Sequence, residues 1–246
     1  MKGAAMQDVQ PSHVAMIQKY LQDRKRFDDI FKKQPFLTIS RQAGAGGHTV
    51  GREVIRQLED RFPKDPLTHG WEVFDQKLCV MILQNTSVNV SFESLIKEEY
   101  KSEAKQFVSD LLEGKATQYS TYKKTFHVIR LLCQIGKVVI VGRGGAHLTR
   151  DLPNGVHVRL VANTNERIER MTKMFDITTR EATKQAKEQD KNRARLVHDF
   201  FNQDIDDPLQ YDAMYNTSTL NVDQIAHSIL ELVISKLDHY RAQHSA

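Results

Sequence analysis

The chain has 246 residues, of which 40% are hydrophobic and 27% charged, as in a globular protein with one substantial core. Its formal net charge of +4 is small and its acidic residues are evenly mixed, which favours basic side chains facing a nucleotide's phosphates over a nucleic-acid partner. The apolar runs are too short to span a membrane, and the N-terminus lacks the apolar core of a signal peptide, so we expect a cytoplasmic protein. Cys79 and Cys133 have the apolar surroundings of buried thiols, so we expect no disulfide.

Helices and strands alternate along the predicted chain. Apolar residues at helical spacing predict a first helix over residues 11–33, which Pro35 ends; it either packs on the domain surface or forms a homodimer contact. We expect strands at 36–40, 71–75, 137–145, 155–162 and 211–217, helices at 47–61, 163–175, 178–201 and 221–240, and an interrupted, charged helical region at 76–135.

This alternation predicts an α/β fold, with a parallel five-stranded sheet that is covered by helices on both faces. Residues 1–35 are expected to form an N-terminal helical extension, and residues 36–240 the main domain. In such sheets ligands bind beyond the carboxyl ends of the strands, and several polar clusters of this sequence fall there.

The first cluster is the segment SRQAGAGGHT at 40–49, between the first strand and the next helix. Gly44, Gly46 and Gly47 permit positive φ, so that successive N–H groups can surround a phosphate at the positive end of the helix. The ordinary loop of this kind, G-x-x-x-x-G-K-[ST], has a lysine where this chain has Gly47. Thr49 lies in the first helical turn, where its hydroxyl is placed to ligate Mg²⁺. A plain glycine-rich turn is the alternative interpretation.

Arginines form the remaining clusters. Arg143 stands between glycines at the end of the third strand, where its charged fork suits a phosphate. Arg167 and Arg170 share a helix face, and Asp190 and Arg193 are spaced to form an ion pair that presents Arg193 to a ligand. Taken singly, each of these also fits a solvated turn or an exposed helix face.

In their order and spacing, these segments resemble the cytidylate kinase-like proteins of the nucleoside monophosphate kinase class, over residues 36–237. GAGGHT at 44–49 is similar to the family's glycine loop, and FD at 74–75 resembles the aspartate that closes its second strand. VIVGRGG resembles the monophosphate-binding segment with its G-R-D motif, although Gly144 replaces the aspartate. DKNR at 190–193 resembles an aspartate–arginine pair that contacts the monophosphate, and YDAMYNTS resembles the C-terminal block.

The resemblance implies a P-loop kinase fold with a helical insert for the nucleoside monophosphate at 76–135 and a lid at 172–195. It implies ATP and Mg²⁺ as cofactors, and transfer of the γ-phosphoryl group to CMP, dCMP or a related small acceptor. The residues expected to bind the donor phosphates are Gly44, Ala45, Gly46, Gly47, His48 and Thr49, of which Thr49 also ligates Mg²⁺. Those expected at the acceptor or the magnesium are Asp75, Arg143, Asp190 and Arg193. Those expected at the transferring group are Arg41, Arg167 and Arg170.

Arg41 is the expected substitute for the lysine that the loop lacks. One branch of the family reads I-S-R-x-x-G-x-G-G, as this chain does, with an arginine at the first glycine of the ordinary loop. Because phosphoryl transfer depends on positioning and on stabilising charge, we expect Arg41 to supply the missing cation. Two alternatives stay open: a non-catalytic nucleotide-binding protein with a degenerate loop, and an RNA-associated basic protein.

Overall fold

The computed structural model of the chain describes residues 34–75 and 118–244, together with positions 15, 18, 19, 78 and 79. Almost all of the predicted N-terminal extension, and almost all of the predicted insert up to residue 117, lie outside these described residues. The homodimer contact through the first helix therefore stays a prediction.

The chain divides into two compact units. One takes in residues 1–30 and 76–128, of which the structure describes only a small part. The other takes in residues 31–75 and 129–246, and it contains the whole described sheet and the candidate site.

Five parallel strands form the sheet, in the order β2-β3-β1-β4-β5. The strands are β1 (Phe36–Arg41), β2 (Glu72–Phe74), β3 (Val138–Val141), β4 (Gly155–Val161) and β5 (Ala213–Asn216). The described helices are α1 (Gly47–Arg61), α2 (Gln118–Ile135), α3 (Gly145–Leu148), α4 (Thr164–Phe175), α5 (Thr179–Phe201) and α6 (Val222–His244). The predicted parallel α/β sheet of five strands is thus confirmed.

Successive side chains of β1 point to opposite faces of the sheet, and each face is covered by different helices. Leu37 and Ile39 point to one face and join the main buried apolar cluster, to which α1 contributes Val50 and α6 contributes Ile229. On the opposite face α3 packs, and Thr38 there bonds to a histidine of β4. Helices therefore cover both faces, which leaves the carboxyl ends of the strands as the edge where loops meet.

The sequence-based boundaries differ from the structure most clearly after β3. A strand was expected to continue to residue 145, but β3 ends at Val141. Gly142, Arg143 and Gly144 all have positive φ, of 87°, 57° and 65°, and three successive left-handed residues cannot continue an extended strand. The short helix α3 starts directly after this turn.

The predicted lid region at 172–195 holds the end of α4 and most of α5. Asp176 ends α4 in a left-handed conformation, and Thr178 begins α5 with a capping box, in which Thr178 and Glu181 each bond to the other's main chain. Closure of this helix pair over a ligand stays a prediction. In the part of the chain that the structure describes, no helix has the length and apolar character needed to cross a membrane.

Candidate active site

The glycine loop leaves the end of β1 at Arg41 and enters α1 at Gly47. Gly44 and Gly46 have φ values of 76° and 83°, as the sequence led us to expect. Gly46 is the N-cap of α1 and gives the helix no side-chain capping bond, and the first turn contains no acidic residue. Because the first N–H groups of a helix have no acceptor within it, this end of α1 suits an anion.

Arg41 runs alongside Gly47, the residue in the place of the usual lysine. A β-carbon on Gly47 would lie 3.3 Å from Cγ of Arg41 and 3.2 Å from Cγ1 of Val141. The guanidinium continues to Gly142, where Nη1 of Arg41 occupies the space that a β-carbon would need. Glycines at 47 and 142 therefore make room for the arginine side chain between the loop and the end of β3.

Arg143 and Arg193 lie close enough to Arg41 to affect its charge. Burial, together with the neighbouring charges of Arg193 and Arg143, lowers the pKa of the Arg41 guanidinium to about 9, while Asp75 and Asp190 oppose the shift. Burial also lowers the pKa of Arg193, again against the effect of Asp190. Such a group of guanidiniums disfavours its own charge, so an anion placed among them would be stabilised.

His48, in the first turn of α1, contacts Asp75, which directly follows β2. The distance from His48 Nε2 to Asp75 Oδ2 is 3.1 Å, and both side chains are partly exposed. Sequence analysis had placed each residue near the phosphates but had not paired them. Their contact puts a carboxylate next to the first turn of α1.

Arg167 and Arg170 of α4 contact the outer side of the loop. Nη1 of Arg167 donates to the carbonyl oxygen of Ala43 at 3.1 Å, and Nη1 of Arg170 approaches the Gly44 carbonyl oxygen at 3.4 Å. Arg170 also donates to Oγ1 of Thr217 at 2.8 Å. In this structure both arginines are thus engaged with the protein, and their contact with a transferring group stays a prediction.

Asp190 and Arg193 of α5 form the ion pair that their spacing predicted, at 3.1 Å. Asp190 has a second arginine partner, Arg167, at 2.6 Å. Arg193 reaches back toward the carbonyl oxygen of Arg41, at 3.5 Å. These contacts bring together, around one loop, residues that lie up to 152 positions apart in sequence.

A neighbouring polar cluster was missed by sequence analysis. Arg159 of β4 is only 3% exposed, and its Nη1 donates to Ser40 at 2.8 Å while its Nη2 bonds to Asp206 at 2.5 Å. The hydroxyl oxygen of Tyr211 lies 3.2 Å from Oγ of Ser40. A charged residue inside the apolar run GVHVRLV was the signal available in the sequence, because a buried strand rarely carries an unpaired arginine.

Gly144, where the family resemblance leads one to expect aspartate, packs against α5. A β-carbon there would lie 2.6 Å from Cε2 of Phe201 and 3.3 Å from Leu196, and the φ of 65° is left-handed. An aspartate at this position would require the Phe201 side chain to shift. Glycine at 144 is thus matched to the packing of Phe201 against the start of α3.

The residues also bear on whether ATP and Mg²⁺ fit the site. Thr49 is exposed in the first turn of α1, and Ala45 is buried, with its N–H donated to Gln42 O at 3.2 Å. Within the described ranges, no three His, Cys, Asp or Glu side chains are grouped as a metal site. Mg²⁺ commonly binds through one or two protein oxygens plus substrate phosphates, which is compatible with Thr49 and Asp75.

A family model for the cytidylate kinase-like family matches residues 36–219. Among solved structures, an uncharacterized protein from Eubacterium ventriosum is 20% identical, with a TM-score of 0.58 over 82% of this chain and 99% of that one. This likeness shows a shared fold. No curated protein matches the chain.

Two shikimate kinases are more distant. The enzyme from Bacteroides thetaiotaomicron is 12% identical, with a TM-score of 0.47 over 81% of this chain and 98% of its own. The enzyme from Acinetobacter baumannii, solved in complex with shikimate, is 17% identical, with a TM-score of 0.43 over 86% and 97%.

Proposed function

Since the chain belongs to the cytidylate kinase-like family, we propose that it is a phosphotransferase that moves the γ-phosphoryl group of ATP to a small phosphate-bearing acceptor. The family makes CMP and dCMP the first acceptors to test. The observation that carries the proposal is the path of Arg41, whose side chain passes Gly47 and ends over Gly142. This path supports Arg41 as the cation that would stand in for the missing lysine.

The donor phosphates would be bound by the loop from Gly44 to Thr49. The first turn of α1 offers N–H groups without intrahelical acceptors, and its glycine N-cap leaves them uncovered by a side chain. Arg41 would hold the β- and γ-phosphates from the sheet side. A unit charge 4 Å from a phosphate oxygen contributes about 4 kcal/mol at an effective dielectric near 20, so a kinase that lacks the lysine needs a replacement cation.

The acceptor would be held by Arg143 and Arg193, which share the charge environment of Arg41. A phosphate acceptor is already ionised at neutral pH and needs no general base, so the residues have only to position it in line with the γ-phosphorus. Arg170, the more exposed of the two α4 arginines, would reach the transferring group from the outer side of the loop, whereas Arg167 would first have to leave Ala43 and Asp190. When bound, Mg²⁺ would neutralise charge on the donor phosphates, and Thr49 and Asp75 would be the residues to hold it.

A screen for ADP release tests the proposal directly. ATP and Mg²⁺ are combined with each nucleoside monophosphate, each deoxynucleoside monophosphate and a wider set of small phosphate acceptors, and thermal stability is measured with the same ligands. We expect turnover with at least one acceptor. Stabilisation by ATP without turnover of any acceptor would contradict the proposal.

A non-catalytic nucleotide-binding protein is the second candidate. The specific observation in its favour is Gly144, because a left-handed glycine packed against Phe201 stands where the monophosphate-binding motif carries its aspartate. Such a protein would keep the loop and use nucleotide binding as a signal or a structural support. It predicts stabilisation by ATP and no ADP release across the whole screen.

A further inference from the structure

Both main-chain polar groups of Ala43, in the middle of the glycine loop, are bound by one side-chain ion pair. Oδ1 of Asp190 accepts the N–H of Ala43 at 2.7 Å, although 147 residues separate them. Oδ2 of Asp190 accepts from Nη1 of Arg167 at 2.6 Å, and the same Nη1 donates to the carbonyl oxygen of Ala43 at 3.1 Å. The pair thus bonds to Ala43 as a neighbouring strand would.

These bonds are strong because they are charged and largely removed from water. The side chain of Arg167 is 10% exposed and that of Asp190 is 28% exposed. Hydrogen bonds to ionised groups are shorter and about twice as strong as neutral ones. Arg193 adds a further donor to Oδ1 at 3.1 Å, so both carboxylate oxygens of Asp190 already accept from the protein.

The next residue makes the arrangement rigid. Gly44 has a φ of 76°, and a β-carbon on it would lie 2.5 Å from the carbonyl oxygen of Arg167. The peptide between Ala43 and Gly44 therefore cannot rotate without breaking the bond from Arg167 to the Ala43 carbonyl oxygen, and Gly44 lies too close to the main chain of α4 to carry a side chain. The orientation of this peptide decides which way the following amides of the loop face.

We propose that Asp190 is a positioning residue for the phosphate loop: with Arg167 it fixes both main-chain polar groups of Ala43, so that the amides of the first turn of α1 face the donor phosphates. The identity of the ligand rests on the proposed function. The inference takes Asp190 out of the group expected to touch the acceptor. A carboxylate that already accepts from three donors, and that repels a phosphate by its charge, is a poor acceptor ligand.

The test compares Asp190→Asn with Glu188→Gln, which removes the same charge from an exposed position of α5. Asparagine has a single acceptor oxygen, so its NH₂ group faces either the Ala43 N–H or Arg167, and that donor loses its acceptor. Loss of a charge-assisted bond of about 1.5–3 kcal/mol predicts ATP·Mg²⁺ binding at least about tenfold weaker in Asp190→Asn by calorimetry. Affinity for the acceptor should fall less than ATP affinity, because Asp190 meets the acceptor side of the site only through its 3.1 Å bond from Arg193. Glu188→Gln should leave both affinities unchanged.

Hydrogen exchange gives a readout that a general loss of stability would not produce. In Asp190→Asn the Ala43 amide should exchange much faster, while the amides of β4 keep their protection. In the ligand-free wild-type protein the same Ala43 amide should already be protected, whereas the amides of the first turn of α1 become protected only when ATP or tripolyphosphate is added. The wild-type measurement decides the matter even where the variant fails to fold.

Three results would overturn the inference: a fast-exchanging Ala43 amide in the wild-type protein, unchanged ATP affinity in Asp190→Asn, or a loss of acceptor affinity alone in that variant. The last would return Asp190 to the acceptor site. Failure of the proposed function looks different. In that case the wild-type protein turns over no acceptor, while protection of Ala43 by the ion pair is still observed.

Discussion

At the scale of single residues, the structure relates to each other two positions at which the loop differs from the ordinary phosphate-binding loop. The loop has an arginine at the first position of the ordinary G-x-x-x-x-G-K pattern and a glycine at the last. The side chain of Arg41 passes Gly47 so closely that a lysine there would crowd Cγ of the arginine at 3.3 Å. Arginine at 41 and glycine at 47 are therefore expected to change together.

Replacing Arg41 should remove the cation on which the proposed activity depends. For Arg41→Ala we expect kcat/KM to fall by about three decades, since about 4 kcal/mol of charge stabilisation corresponds to a tenfold change per 1.36 kcal/mol. Arg56→Ala, on the exposed side of α1, is the matched loss of charge and should leave turnover unchanged. Unchanged steady-state kinetics in Arg41→Ala would contradict the proposed role.

The double variant Arg41→Gly, Gly47→Lys recreates the ordinary loop sequence. We expect it to recover at least part of the turnover that Arg41→Gly loses, because the lysine then has the space that the arginine vacates. Gly47→Lys alone should give no gain, since the two cations would collide. A gain of turnover in Gly47→Lys alone, together with no recovery in the double variant, would show that the two positions are independent.

At the scale of elements, the pairing of β1 with β4 places a buried histidine between polar neighbours. His157 is 7% exposed, and its Nδ1 lies 2.8 Å from Oγ1 of Thr38. Burial lowers its pKa to about 4, although Asp212 opposes the shift. The folded protein therefore keeps this histidine neutral at pH values where the unfolded chain binds a proton.

Stability should accordingly fall as the pH drops from about 6.5 to about 4, because in that window the unfolded state takes up a proton that the folded state does not. A shift of this size corresponds to a loss of roughly 3 kcal/mol in the free energy of unfolding. Denaturant titrations at several pH values should show this loss of unfolding free energy at low pH in the wild-type protein but not in His157→Asn. His227→Asn, at an exposed position of α6, should retain it. Equal slopes in wild type and His157→Asn would refute the assignment.

At the contact of α3 with α5, the cost of backbone strain can be measured separately from the cost of a steric collision with Phe201. Gly144→Ala and Gly46→Ala both put a side chain at positive φ, but only at Gly144 would the β-carbon meet Phe201, at 2.6 Å. We expect Gly144→Ala to lower the free energy of unfolding by about 1–3 kcal/mol more than Gly46→Ala does. Phe201→Leu in the Gly144→Ala background should recover part of that difference. Equal losses at the two glycines would mean that the Phe201 contact is of no consequence.

At the scale of the whole molecule, the sequence predicted the sheet because its signal is local. Short apolar runs such as VVIV at 138–141 identify strands one at a time, and alternation with helices implies parallel pairing. The glycine loop was found in the same way. What the sequence could not predict is which face of the loop each arginine meets. The contact of Arg167 with Asp190 spans 23 residues and depends on how α4 packs on α5, and that of Arg159 with Ser40 depends on strand register.

Gly47 has a practical consequence for chemical detection. Reagents that carry an acyl group on a nucleotide's terminal phosphate label kinases by transferring that group to the amine of the loop lysine. This loop offers no amine, and a charged guanidinium is a poor nucleophile. Surveys based on such labelling should therefore pass over this protein even when it binds the reagent, whereas a dicarbonyl that condenses with arginine should modify Arg41 and be blocked by ATP.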